Sequence, residues 1–319
     1  MPSGLSVLPR ELRLARRELR QGRFERSMAL MTAFAALVSG WEAYAQHQRG
    51  AFADWLMWTP VGLTPPTVIA GLGGVLNRRL ARRVLPAMAL VTIFDGLLGF
   101  ALHIRGIRHL PGGFGQGRYN IVIGPPLFAP LLTCMVGVFG LLAAVLRPER
   151  LSPRRYSFAL LQVLLDAARP PASGGSLPDR LAARIAHGRF QRVMALLAAV
   201  FAIFAGGEAY VAHLRGSFNR PLMWTPVWLT PPMVVAALGA ALSERVARTV
   251  LPVVATVTFM DGLLGFGLHV QGLQHMPGGF HNLQFNFTMG PPVFAPLLFS
   301  SIGVLGFIAA LARRPRRPW

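Results

Sequence analysis

Four acidic side chains lie inside long apolar stretches of a chain that has only 12 acidic residues: Glu42, Asp95, Glu208 and Asp261. A carboxylate at the centre of a bilayer costs about 2.5–3.5 kcal/mol on insertion scales, so it persists where it faces a cavity, pairs with a base or binds something. The four form two pairs 166 residues apart, Glu42 with Glu208 and Asp95 with Asp261. Six of the 8 histidines pair at the same spacing: His47 with His213, His103 with His269, and His109 with His275. Acidic residues in polar stretches have no acidic mate: Asp54 falls on Arg220, Glu25 on Gln191 and Glu244 on Arg78.

Imidazole with carboxylate suits several transition metals, and two imidazoles from separate helices are a normal way to hold haem iron. Asp95, Gly99 and His103 follow at four-residue steps and share one helix face. His47 falls at the outer end of its own helix, with Glu42 one to two turns deeper. His47 and His103 then lie at similar height, and two helices that face each other let the rings share one ligand. His47, His103, His213 and His269 are therefore the expected cofactor ligands, and His109 and His275 are further metal-ligand candidates. Glu42, Asp95, Glu208 and Asp261 are expected to tune the site or to carry protons or cations. Gly96, Gly99 and Gly106 thin the neighbourhood, which permits close helix approach or room for a bound group. The competing reading is structural, with Asp95 tying two helices through a hydrogen bond.

Aligning the chain with itself at the same shift superposes LMWTPV at 56–61 and 222–227, DGLLGF at 95–100 and 261–266, and PGGF at 111–114 and 277–280. GRF at 22–24 and 188–190, and the GPP and FAP triplets of 124–130 and 290–296, fall in register too. The chain is a tandem duplication. Each copy holds four apolar stretches, roughly 28–47, 60–77, 84–104 and 121–146, then 193–213, 226–243, 250–270 and 287–311. About 20 apolar residues cross about 30 Å of hydrocarbon as a helix, and helices leave no backbone group unpaired in lipid. The expectation is an all-α integral membrane protein of eight transmembrane helices. They form two four-helix repeats in the same orientation, related by a pseudo-two-fold axis along the membrane normal.

Composition agrees. Hydrophobic residues make up 53% of the 319 and charged residues 14%, against about a quarter charged in soluble domains. All 32 basic residues are arginine, and alanine, glycine and proline are abundant, the codon signature of a GC-rich bacterial genome. The net charge of +20 does not indicate nucleic acid, because the arginines cluster between apolar runs where orientation signals belong. With cytoplasmic termini, all arginines but Arg49, Arg105, Arg108, Arg118, Arg215 and Arg220 fall on the inner side of a bacterial inner membrane. The segments are then a cytoplasmic Arg-rich amphipathic stretch at 1–27, a first repeat at 28–150, a cytoplasmic linker at 151–187, and a second repeat with a basic tail at 188–319. The first 27 residues lack the apolar core and cleavage site of a signal peptide. Cys134, the single cysteine, makes no intrachain disulfide or CxxC metal site.

Prolines punctuate the second stretch, TPVGLTPP, and the fourth, GPPLFAP. Proline suits a helix's first turn. If the second helix instead begins at Pro65, residues 59–64 are irregular backbone, tolerated only against protein or a wet cavity. Trp58 and Trp224 are expected to anchor the outer interface, and the PGGF segments to form tight turns. GLGG at 71–74 follows no strand and is no nucleotide fingerprint.

No catalytic motif is present. The expected function is redox or electron transfer, with haem b or a transition metal near the periplasmic surface of each repeat. A quinone or a periplasmic redox protein is the expected partner, beside the lipid bilayer. The layout, two four-helix bundles in one chain with histidines toward the outside, is similar to that of haem A synthases in arrangement rather than in sequence motifs. Two alternatives remain open. One is a proton- or cation-coupled transporter or channel using the buried carboxylates. The other is an anchor subunit for a periplasmic oxidoreductase, without chemistry of its own.

Overall fold

The computed structural model of the chain describes residues 23–145 and 189–311. The expected amphipathic stretch before residue 23 and the cytoplasmic linker lie outside the described residues. Helix α1 (Arg23–Arg49) leads through a 3-10 turn (Trp55–Trp58) into α2 (Thr59–Leu76). The Asn77 side chain accepts from the Arg79 N–H at 2.8 Å and so caps α3 (Arg78–His109). A 3-10 turn (Gly113–Gln116), a short α4 (Gly117–Ile123) and α5 (Ala129–Val145) complete the first repeat. The same order recurs in α6 (Arg189–Arg215), a 3-10 turn (Pro221–Trp224), α7 (Thr225–Leu242) and α8 (Glu244–Gln274). It closes with a 3-10 turn (Gly279–Asn282), α9 (Leu283–Met289) and α10 (Ala295–Leu311).

Among the described residues, six helical segments are long and apolar enough to cross a membrane, and Ala129–Ala144 and Ala295–Ala310 are shorter apolar helices. At 1.5 Å per residue, the 32-residue α3 is about 48 Å long and outreaches the hydrocarbon layer at its ends. The distribution of side-chain size supports a lipid surround. Leu30, Phe34 and Leu37 on α1 are each more than half exposed, while Ala29, Ala33, Ala35 and Ala36 are buried. Small residues inside and large apolar ones outside is how membrane helices pack, because close backbone approach supplies the contact energy. Within each repeat the first helix packs on the second and fourth, and the third on the same two. α5 meets α6, and one continuous core runs through both repeats.

Two proline segments behave differently. α2 is continuous from Thr59, with Pro60 in its first turn and Pro65 and Pro66 inside it, so residues 59–64 are helical. The fourth apolar stretch, roughly 121–146, is interrupted. α4 ends at Ile123, Gly124 is extended (φ −76°, ψ −169°), and α5 begins at Ala129. Consecutive prolines at 125 and 126 explain this. Each lacks an N–H and pushes the residue before it out of the helical region. α9 and α10 are separated at Gly290 in the same way.

The glycines of α3 serve close approach and leave no room for a bound group beside them. A Cβ at Gly96 would lie 2.6 Å from Cys134 Sγ and from the Pro130 carbonyl oxygen, and one at Gly99 would lie 3.1 Å from Pro130. The PGGF segment forms the expected turn, with Gly112 at φ 76° and Gly113 at φ 47°. Buried Asn120 locks that turn by donating to the carbonyls of Pro111 (3.0 Å) and Gly113 (2.7 Å). Asn286 does the same at Pro277 and Gly279.

Candidate functional site

His47 lies in the last turn of α1 and His103 near the C-terminal end of α3, so both reach the same end of the first repeat. Their ring centroids are 6.4 Å apart and the rings are nearly perpendicular. His213 and His269 repeat this at 6.3 Å. An imidazole nitrogen sits about 2.0–2.1 Å from a bound transition metal, so two rings on one ion have centroids roughly 5–6.5 Å apart.

Backbone carbonyls orient both rings. His103 Nδ1–H donates to the Pro126 carbonyl at 2.6 Å, and His269 Nδ1–H donates to that of Pro292 at 2.6 Å. A carbonyl can only accept, so this bond fixes the tautomer and leaves Nε2 with a lone pair. His47 is held differently. Its Nδ1 is buried with no hydrogen-bond partner, and the Met57 backbone lies beside the ring. His213 matches, with orphaned Nδ1 and Met223 beside it. Each pair thus includes one unpartnered Nδ1 and one Nε2 left with its lone pair.

An aromatic loop closes over the first ring of each pair. Phe52 stacks on Trp58 (3.9 Å, 15°) and stands edge-on to His47 at 6.1 Å. Phe218, Trp224 and His213 repeat the arrangement. Trp58 therefore joins the site as well as standing at the helix entry where an interface anchor was expected. The loop is strained: Ala51 and Phe52 have φ of 52° and 48°, and Ser217 and Phe218 have 58° and 46°. A bulky residue at positive φ is uncommon, and such strain concentrates at functional sites. The Phe52 N–H bonds to the His47 carbonyl (3.2 Å), so the loop folds back onto the histidine itself.

The carboxylates divide. Glu42 reaches into the other repeat. Its Oε2 accepts from the Phe294 N–H at 3.3 Å, in the break between α9 and α10, and its Oε1 accepts from Gln46 at 2.9 Å. Glu208 accepts from the Phe128 N–H at 2.8 Å, in the corresponding break of the first repeat. Asp95 is buried and faces Thr59, and Asp261 faces Thr225. His109 and His275 are exposed at the ends of their helices, away from the paired rings, and His275 donates to the Gln271 carbonyl. Among the described residues, no three His, Cys, Asp or Glu side chains gather as a metal-binding group. The protein's own contribution at each pair is two imidazoles.

Sequence reasoning missed Arg49 and Arg215. Arg49 donates to the Thr288 and Gly290 carbonyls at the end of α9. Arg215 donates to those of Val122 and Gly124 at the end of α4. The signal was available: these arginines also fall 166 residues apart, alone among the six expected on the outer side. No family model, no curated protein and no solved structure matches the chain.

Proposed function

We propose that the chain is a bacterial inner-membrane redox protein that holds one transition-metal centre between the paired histidines of each repeat. In this reading α4 with α5, and α9 with α10, complete eight crossings, both termini are cytoplasmic and the histidine pairs face the periplasm. The observation that carries the proposal is the His47–His103 pair and its duplicate. The rings lie at metal-sharing distance, His103 and His269 each have Nδ1 tied to a backbone carbonyl, and His47 and His213 each keep an unpartnered Nδ1. A metal-bound histidine is normally held by that kind of second contact.

Two imidazoles leave further coordination positions to a macrocycle, solvent or a redox partner's group. A transition-metal ion is favoured over haem b, because the free nitrogen of His47 is Nδ1, flanked by the ring's own Cβ, which crowds a macrocycle. A quinone or a periplasmic redox protein would exchange electrons at this end of the molecule.

The test is elemental analysis and a visible spectrum, before and after dithionite, on protein purified in mild detergent. Two metal ions per chain are expected, falling to one in His103→Ala and to none in His103→Ala with His269→Ala. Reduced b-type bands lost in the same variants would identify haem instead. A folded, colourless, metal-free protein would sink the redox reading. Ion handling, the second reading, draws on Asp95, a buried acid not engaged in a tie between the repeats.

A further inference from the structure

Below the histidine pair, the first repeat holds a small, partly open cavity whose hydroxyl lining the second repeat lacks the residues to make. About 20 Å³ is open to the centre of a water-sized sphere, above the roughly 10–15 Å³ that one such body requires. Its polar wall comes from Ser39 on α1, Thr64 and Thr67 on α2, Thr92 and Asp95 on α3, and Thr133 on α5. All four principal helices of the repeat contribute, at a depth where α1 and α3 are in their apolar middles.

Most of the hydroxyl protons are committed elsewhere. Thr64 donates to the Pro60 carbonyl (2.8 Å) and Thr92 to that of Met88 (2.8 Å). Thr67 and Thr92 oxygens are 3.2 Å apart, and since Thr92 has spent its proton, Thr67 donates to it. Ser39 and Thr133 share a bond at 3.3 Å. What remains to face an occupant is one hydroxyl proton of the Ser39–Thr133 pair, oxygen lone pairs and one carboxylate. That lining repels an anion and suits a hard cation, which takes oxygen ligands. One carboxylate balances one positive charge, and a neutral pair is what a low-dielectric interior tolerates.

The 166-residue shift supplies an internal control. Asp261, Thr230 and Thr258 match Asp95, Thr64 and Thr92, but Ala205, Met233 and Phe299 stand where the first repeat has Ser39, Thr67 and Thr133. Met233 is fully buried and Phe299 is 4% exposed. Two large apolar side chains take the place of three hydroxyls.

We propose that the first repeat, and not the second, binds one dehydrated alkali-metal cation in the cavity between Asp95 and the hydroxyls of Ser39, Thr64, Thr67, Thr92 and Thr133. This inference is independent of the histidine pairs. The second repeat keeps the carboxylate without the cage, so Asp261 is not a cation ligand.

The experiment uses the full chain in mild detergent. Its unfolding midpoint is followed against sodium or potassium chloride, with choline chloride holding ionic strength constant. Retention of radioactive sodium or rubidium counts the bound ions. A saturable rise in midpoint with one cation per chain is expected. Asp95→Asn should abolish it, and so should Thr67→Met with Thr133→Phe, which install residues the second repeat already accommodates. Asp261→Asn should leave the apparent affinity within about twofold. If the double variant does not fold, Ser39→Ala supplies the second reading, with an expected loss of at least tenfold in affinity. If no alkali cation acts differently from choline, the cavity holds water and the proposal is overturned. A count of two ions, or an equal loss in Asp261→Asn, overturns its assignment to the first repeat.

Discussion

Phe52 and Phe218 show how a single residue can be held against its own preference. A residue with a Cβ in the left-handed region is disfavoured by roughly 1–2 kcal/mol, and here two adjacent residues occupy it in each repeat. The return is the ring stack on Trp58 and the wall beside His47. Ala51→Gly should therefore raise stability by about 1 kcal/mol, since glycine adopts that φ without a clash. Phe52→Ala should lower it, because an aromatic pair contributes about 0.5–1.5 kcal/mol beyond its buried area. Urea or thermal unfolding of both variants in detergent checks the pair. A loss of stability in Ala51→Gly would show that the loop is not strained. At this scale the imidazoles were legible in the sequence, because helical rise and period place His47 and His103 at one height from their numbers alone. The loop was not. Alanine, serine and phenylalanine carry no mark of positive φ, and the Pro126 and Pro292 carbonyls that orient His103 and His269 are backbone groups with no side-chain signature.

The break between α4 and α5 is the element on which the site depends. Composition hid it, because residues 121–146 are apolar throughout and a double proline can as readily open a helix as interrupt one. Once the break exists, its backbone groups lack intrahelical partners and must find others in an apolar setting. Glu208 accepts the Phe128 N–H at the start of α5, and Arg215 donates to the Val122 and Gly124 carbonyls at the end of α4. The charges suit the ends they meet, negative at a helix N-terminus and positive at a C-terminus. The duplicated carboxylates were legible as buried and needed, but their partner was not, because a 166-residue shift compares the copies without saying that one reaches into the other. Glu208→Ala should cost about 1.5–3 kcal/mol, the usual range for a hydrogen bond to a charged group. Glu208→Gln, which keeps an acceptor, should cost less. Denaturant unfolding orders the two, and equal losses would mean that volume rather than the bond is what matters.

At the scale of the whole molecule the two repeats are interlocked through these breaks. α1 carries His47 for its own pair, and also Glu42 and Arg49, which hold the Gly290–Phe294 break of the other repeat. Pro292 in that break orients His269. The reciprocal path runs from Glu208 and Arg215 through the Gly124–Phe128 break and Pro126 to His103. One ring of each pair is therefore oriented by a break in its own repeat that the other repeat helps to hold. A change in the second repeat should be felt first at the site of the first. Arg215→Ala should weaken the Nδ1–H bond of His103 and leave that of His269 intact, and ring nitrogen NMR reads this with or without metal. Metal affinity, measured with one pair disabled at a time, should follow. With His269→Ala removing the second pair, Arg215→Ala should cost the first about tenfold, the lower end of what loss of an orienting contact costs a metal site. With His103→Ala removing the first pair, the same substitution should change the second by less than about twofold. A loss confined to the second pair would mean that Arg215 acts through its own helix, and that the repeats are neighbours rather than partners in building each other's sites.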